Sequence, residues 1–395
     1  MLAIITSHPI QYQAPLWRAL ARAGVKFEVW FLTPHAVAAS YDPQFKRTFA
    51  WDVDLLEGYP HRFLPLEKGW RLDRFLGVRL RTRWSDEFRE RGVTHVWVEG
   101  WRFLEIWLAV RAASAAGLRV LLRGESHGLA PEAPLRRLWK RPLLGWLFRR
   151  VDRFLCIGSA NRRFYLGYGV APARLAPAPY CIDNERFAGA AAELRPRRAE
   201  LRARWEIAPE AYVVLFCGKL IGKKRPLDVV AAARLQPALA GRPVHLLYAG
   251  DGELAPALRH ALAGPDAPRG TIAGFLNQSE IPSAFAAADC LVLPSDYGET
   301  WGLVVNEALA SGLPAIASER CGCAEDLCAP LGPAHVFASG DAAALARSLA
   351  AVAARPPDAA AMRALVSAHD PARTVETLQI LLGPAPGFAM ASHRS

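Results

Sequence analysis

The sequence contains no run approaching the roughly 18–20 uninterrupted apolar residues that a membrane-spanning helix requires, so any contact with a bilayer is expected to be peripheral. Its amino terminus, MLAIITSHPIQYQAPL, lacks a basic n-region, and His8 and Pro9 break the apolar run before it reaches the length of a secretory signal; a first β-strand is expected there instead. Neither half places a Gly-x-Gly-x-x-Gly turn after its first strand, which argues against a dinucleotide-dependent dehydrogenase. The seven cysteines (156, 181, 217, 290, 321, 323 and 328) form no framework. Odd in number, and several of them in apolar runs such as VVLFCGKL, they read as reduced thiols of a cytosolic protein. Cys321, Cys323 and Cys328 are spaced Cys-x-Cys-x4-Cys, which matches no common zinc pattern, and no second Cys or His cluster accompanies them.

What is present points to a globular chain of 395 residues, 52% hydrophobic and 22% charged, long enough for two domains of ordinary size. The formal net charge of +11 suits nucleic acids, anionic lipids and phosphorylated small molecules alike. An arginine-rich sequence that solvates its helices with Arg has the same charge and needs no partner.

Short apolar runs alternate with amphipathic helical stretches, the pattern of parallel βαβ units. Strands are expected at LAIITS, KFEVWFL, THVWVEG, RVLLRGE and RFLCIG in the first half, and at YVVLFCG, VHLLYAG, GTIAGF, CLVLPS and PAIAS in the second. Helices are readable over residues 15–23 and 103–116. The α/β architecture is thus repeated, with a Pro-, Ala- and Arg-rich connection between the halves and a boundary near Asp183. Units of 1–182, 183–368 and 369–395 follow. The last holds a helix, DPARTVETLQILL, that can pack back on the first unit, and a frayed tail after Pro384.

Two stretches carry chemistry. In VLPSDYGETWGLVVNEALASGLPAIASERCG a strand ends at Pro294, a polar turn passes Glu299, and a helix begins near Gly302, ended by Gly312 and Pro314. A helix amino terminus with glycine at its mouth is an anion site. Glu307, eight residues beyond Glu299 and a little over two turns along, can reach back to a ribose diol. In LFCGKLIGKKRPLDVV a strand ends at Gly218, a helix starts near Pro226, and Lys219 and Lys224 frame the loop between them. Two cations at the carboxyl end of a strand in an open α/β sheet suit a diphosphate. Alone, either stretch reads more readily as a solvated acidic pair or a water-facing lysine turn.

The combination resembles the family-four group of GT-B glycosyltransferases, through Glu-x7-Glu at Glu299 and Glu307, Gly-Lys-Leu-x3-Lys at residues 218–224, YAGDGEL around Gly250 and Gly252, IAGFLNQSEIPSAFAAADCLVLPS, and PYCIDNERF. The resemblance covers most of residues 150–340. It implies two facing Rossmann-like doubly wound domains, with acceptor bound by the first and nucleotide sugar by the second. Glu307 would hold the donor ribose, and Lys219 and Lys224 the diphosphate. Backbone N–H groups of Trp301, Gly302 and Leu303 would receive phosphate and sugar oxygens, with Gly250 and Gly252 close by. Glu299 would lie beside the transferred sugar and Phe275 near the base. The family commonly has arginine where this chain has Lys219, which keeps the charge but loses the bidentate fork. HPIQYQAPLW stands where the family often has a glycine-rich loop. His127, in RGESHGLA, corresponds to the family's histidine near the reacting sugar; Glu125 competes for that place, and an N-cap role for Ser126 is the plain alternative.

Residues 134–153, PLRRLWKRPLLGWLFRRVDR, mix seven Lys or Arg with Trp139, Trp146 and Phe148, which suits an anionic membrane surface and equally a domain helix whose apolar face is core. The expected activity is therefore retaining transfer of a sugar from a nucleoside-diphosphate donor, with a UDP-sugar expected, to a glycan or lipid-linked acceptor of cell-envelope or polysaccharide synthesis. The donor is a co-substrate, and neither cofactor nor metal is required. The expected location is the cytoplasm, or the inner face of the cell membrane. Competing readings are a GT-B sugar-nucleotide epimerase and a non-catalytic basic protein binding membrane or nucleic acid; nucleic acid is the less expected partner.

Overall fold

The computed structural model describes residues 1–42, 47–129 and 134–383, leaving aside the side chains of 40–42 and 134–139. The first sheet starts with β1 Leu2–Thr6 and β2 Phe27–Phe31; a separate antiparallel hairpin, β3 Ser40–Asp42 with β4 Arg47–Phe49, stands outside it. It continues with β5 His61–Phe63, β6 His95–Glu99, β7 Arg119–Arg123, β8 Arg153–Cys156 and β9 Leu175–Pro177. The order is β5-β2-β1-β6-β7-β8-β9, parallel throughout. Every residue of β1 is buried, as expected of a strand covered by helices on both faces.

The second sheet contains β10 Tyr212–Cys217, β11 Ala238–Leu239, β12 Arg242–Ala249, β13 Arg269–Gly274, β14 Cys290–Leu293, β15 Ala315–Ser318 and β16 Val336–Phe337. Its parallel strands run β13-β12-β10-β14-β15-β16, with short β11 antiparallel at the start of β12. Counted within each half, both sheets follow the order 3-2-1-4-5-6, and the first adds a seventh strand. Such an order reverses beside the first strand, and ligands bind beyond the carboxyl ends at that reversal.

The expected connection is itself helical. Asp183 accepts a hydrogen bond from the Arg186 N–H at 3.0 Å and caps the helix Asn184–Leu194, which is followed by Arg198–Arg204. The chain then returns: in the helix Pro371–Leu382, capped by Asp370, Val375 and Leu378 join the core of Leu16, Trp17 and Leu20. Thr377 Oγ1 donates to the Pro177 carbonyl at 2.7 Å. The tail after Pro384 lies outside the described residues.

Between the halves, the buried indole of Trp301 stacks on Tyr180 and lies against Gly158, where a Cβ would come within 2.2 Å of it. The Ser159 hydroxyl donates to Asp326 at 2.6 Å, Arg163 pairs with Glu325, and Ser279 donates to Asp52.

Candidate active site

The turn after β10 is fixed by close backbone approach. A Cβ on Gly250 would lie 1.9 Å from the Gly218 carbonyl oxygen, so glycine is required where the turns after β10 and β12 touch. Gly252 packs likewise, 2.5 Å from the Leu220 carbonyl, and does not line the cavity; its position is set by packing. Residues Gly222–Lys224 make a single 3₁₀ turn, and Arg225, with φ 50°, forks onto Asp228 at the start of the helix Pro226–Leu235.

Beyond β14, Gly302 adopts φ 104° at the amino end of the helix Leu303–Ala310. No side chain caps this helix, so its first N–H groups and dipole favour an anion. A Cβ at Gly302 would also meet Leu293 at 2.5 Å. Trp301 Nε1 donates to Asn306 at 2.8 Å, and the Asn306 amide reaches the Tyr180 carbonyl at 3.4 Å, tying this helix to the first half.

Glu299 forms an ion pair with Lys224 and accepts a hydrogen bond from Ser295 at 2.8 Å. Burial pushes its carboxyl up, but Lys224, Ser295 and the charge of Lys223 outweigh that and hold it below the usual range. Glu307 is different: burial raises it to about 7, opposed only by Arg186, and among the described residues its carboxylate has no hydrogen-bond partner. A half-buried carboxylate on a cavity wall, left without a protein partner, is placed to be met by a ligand.

These residues surround a cavity of about 480 Å³ that brings together Lys219, Lys224, Phe275, Glu299, Gly302 and Glu307, with Gly250, Trp301 and Leu303 also on its wall. Phe275 is packed by Phe49 at 4.5 Å between ring centres and by the Arg47 guanidinium at 5.0 Å, so the hairpin of the first half covers this end.

A second cavity, of about 500 Å³, opens beyond the carboxyl ends of β1, β6 and β7 and is lined by Glu99, Trp101, Arg102 and His127 among others. His127 Nδ1 accepts the Leu129 N–H at 3.0 Å, which places the proton of the neutral ring on Nε2. Burial lowers its pKa, against a hydrogen bond to the Glu299 backbone and that residue's charge. Glu99, raised to about 7 by burial, faces the buried Arg123 at 3.8 Å. Glu125 accepts the Tyr180 hydroxyl.

The two cavities meet at Tyr12, Glu125, Gly298 and Thr300. Of the two candidates for the first half, then, His127 lines the second cavity and touches Glu299, while Glu125 sits where the cavities join. Ser126 caps no helix; its carbonyl accepts from Asn161. Tyr12, Trp51 and Tyr180 were not singled out from sequence. Only the position of Tyr12 directly after β1 signals it, because a glycine-rich loop is expected there. The loop holding Ser7, Ile10, Gln11 and Tyr12 takes that place on the cavity walls. Cys321, Cys323 and Cys328 are buried, and Cys323 packs behind Gly302.

Residues 197–364 match the family model described as glycosyl transferases group 1, and residues 9–181 match that of a glycosyl transferase 4-like domain. The chain is 28% identical over 242 residues to a D-inositol 3-phosphate glycosyltransferase of Kineococcus radiotolerans, covering 57% of this chain and 53% of that one. It is 31% identical over 198 residues to a GDP-mannose-dependent alpha-mannosyltransferase of Mycobacterium tuberculosis, covering 50% and 46%. The chain spans about half the length of the curated relatives it matches. Among solved structures it is similar to Anabaena Alr3699/HepE in complex with UDP, with a TM-score of 0.68 at 15% identity over 96% of this chain and 98% of that one. It is also similar to a glycosyltransferase from Rickettsia africae, with a TM-score of 0.69 at 13% identity over 97% and 99%. At these identities the likeness shows the fold alone.

Proposed function

The chain belongs to the group 1 glycosyl transferases and has the GT-B fold, and on that premise we propose that it transfers a sugar, with retention, from a nucleoside-diphosphate donor to a glycan or lipid-linked acceptor. The observation that carries this reading is the junction of the two cavities: one walled by lysines, a helix amino terminus and an unpartnered carboxylate, the other by the strand ends of the first sheet. UDP is the favoured donor nucleotide, because the structural relative Anabaena HepE is described with UDP and with UDP-glucose.

The reaction breaks the bond between the anomeric carbon and a diphosphate oxygen, and joins that carbon to an acceptor oxygen on the same face. The departing diphosphate takes the acceptor proton. Lys219 and the N–H groups at Gly302 and Leu303 receive its developing charge, a role that needs no metal. Lys224, shared with Glu299, stabilises the same departing charge, while Glu299 orients the sugar and Glu307 holds the ribose. His127 touches the sugar from the first domain.

A cytoplasmic protein working on a lipid-linked acceptor in cell-envelope or polysaccharide synthesis would also meet an anionic membrane surface. No helix among the described residues is long and apolar enough to cross one. The helix Pro134–Phe148 supports a surface contact: Leu144, Leu147 and Phe148 enter the core, while Leu143 is 59% exposed and Trp146 stacks on Trp107 beneath Arg150. Arg136, Arg137 and Trp139 belong to the same reading, and their side chains lie outside the described residues.

The test is thermal shift against a panel of nucleotide sugars, followed by turnover with and without acceptor. Stabilisation by a UDP-sugar and acceptor-dependent release of UDP are expected. Conversion of the donor without any acceptor would instead identify an epimerase.

A further inference from the structure

A third cavity, of about 700 Å³, shares no lining residue with the two of the candidate active site. It is larger than either and lies within the range of small-molecule sites. Three elements wall it with apolar side chains. The helix Asn184–Leu194 supplies Ala188 and Ala191, Pro357 leads into the helix Ala359–Ala368 with Met362, and the carboxyl end of the helix Leu303–Ala310 supplies Leu309.

The charge on this apolar lining is mostly of one sign. Asp289 is the one carboxylate on it among the described residues, and three guanidinium groups share it: Arg198 at 2.8 Å, Arg202 at 2.7 Å and Arg242 at 3.1 Å. Glu193 and Asp358, acidic neighbours of lining residues in sequence, do not line the cavity. Arg198 does line it, and makes all its contacts through Nη2, which leaves Nε and Nη1 without a partner among the described residues. Arg195 and Arg363 are exposed on the lining, and neither guanidinium makes a hydrogen bond or ion pair among the described residues. Arg195 Nη2 stands 3.2 Å from the place of a Gly312 Cβ, so its charge also covers the negative end of the helix Leu303–Ala310.

A polar group without a partner accompanies these cations. Ser311, on the same lining and 8% exposed, has a buried hydroxyl with no hydrogen-bond partner. Such a hydroxyl costs free energy until a partner arrives.

We infer that this cavity binds a phosphate monoester carried on an apolar body, its phosphate at Arg195, Arg198 and Arg363 with Ser311, and its body against Ala191 and Met362. A monoester carries nearly two negative charges at neutral pH and offers several acceptor oxygens, which suits two uncommitted guanidinium groups and part of a third. The site stands apart from the donor and acceptor cavities, and it does not depend on the transferase reading.

The test is calorimetric titration of the whole protein at low salt, with UDP present to fill the donor site. The probes are hexyl phosphate, inorganic phosphate, glucose 6-phosphate and hexanol. Hexyl phosphate should bind about ten-fold or more tightly than each of the others, because the charged hydrogen bonds and the apolar lining each contribute about that factor. Arg195→Ala with Arg363→Ala should bring hexyl phosphate down to the level of hexanol, while Arg195→Lys with Arg363→Lys keeps part of the affinity. Ala192→Trp, which fills the cavity from an exposed position on its lining, should block hexyl phosphate and leave UDP binding and the melting temperature as in wild type. Phosphatidic acid in otherwise neutral vesicles is a further probe: capture that needs Arg195 and Arg363 makes the source a lipid headgroup, and no such capture makes it a free monoester. No binding of hexyl phosphate, binding that survives Arg195→Ala with Arg363→Ala, or equal binding of any other soluble probe overturns the inference. A wild type that ignores UDP counts against the transferase reading alone, since the two arginines locate this site without it.

Discussion

Lys224 and Glu299, seventy-five residues apart in sequence, close on one another as a partly buried ion pair on the cavity wall. The lysine comes from the turn after β10 and the glutamate from the turn after β14, so the pair bridges the two strand ends that flank the reversal in the second sheet. Lys224 is thus already engaged before any diphosphate arrives, and donor binding must share it with Glu299.

Replacing Lys224 with Ala is expected to lower turnover by roughly a hundredfold, the usual cost of removing one preorganised charge from a site of developing negative charge, and to weaken donor binding less. Lys223→Ala is the neighbouring control, with a small effect on both. Equal small effects would place the diphosphate elsewhere. Without Lys224 the balance at Glu299 tips towards burial, so its carboxyl rises and the acid limb of the rate profile should move to higher pH. In the wild type the depressed Glu299 contributes stability above its unfolded value that is lost as pH falls through its folded value.

Glu307→Gln should separate binding from stability. Loss of a hydrogen bond from a charged acceptor costs about 1.5–3 kcal/mol, so donor affinity should fall by at least ten-fold in calorimetry. The stability effect runs the other way. A carboxyl raised to about 7 keeps its proton in the folded state where the unfolded chain has lost it, and its contribution disappears as pH rises from the ordinary carboxylate range through 7. Ligand-free Glu307→Gln should therefore melt higher than wild type at pH 8, and the difference should shrink towards pH 4. An unchanged donor affinity would falsify the ribose assignment.

Gly158→Ala tests the contact between the halves. The added methyl would meet the Trp301 ring at 2.2 Å and Asp326 at 2.8 Å, so one half must move away from the other. Small-angle scattering should show a wider molecule and turnover should drop, while UDP, which the proposed function assigns to the second domain, should still bind. If scattering and turnover both stay as in wild type, this contact does not set the closed geometry.

Neutralising Arg136, Arg137, Arg149 and Arg150 together should release the protein from anionic vesicles, with the difference fading as salt screens the surface. Wild-type protein that ignores such vesicles at low salt would leave the helix Pro134–Phe148 as core packing only.

The second domain was the more legible half. Its strands β10, β12, β13 and β14 are four to eight residues long and run into Gly or Pro, and the helix after Gly302 runs to Ala310 as its punctuation requires. The strands that escaped the pattern, β3, β4, β5, β9, β11 and β16, are two or three residues long, too short for alternation to register. The connection after Asp183 reads as a linker because Pro and Arg interrupt its strand pattern, yet Phe187 and Leu201 turn both of its helices into the core. Lys224 and Glu299 could each be named from sequence, but not their pairing, which depends on the order of the strands. Tyr180 was hidden for a related reason: it lies just beyond an edge strand and matters only because Trp301 and Glu125 come to it from elsewhere.

The polypeptide passes between the halves twice, outward before the helix Asn184–Leu194 and homeward before the helix Pro371–Leu382. A single crossing would leave a ball joint; two crossings define an axis. Any swing of one half against the other is hinged at both crossings, which favours rotation about the line joining them over twist or sideways slip and would keep Glu125 and Tyr12 facing Gly298 and Thr300. A fragment ending before residue 371 would lose the second pivot and leave Leu16, Trp17 and Leu20 uncovered, and its two cavities would no longer be brought back into register by the chain itself.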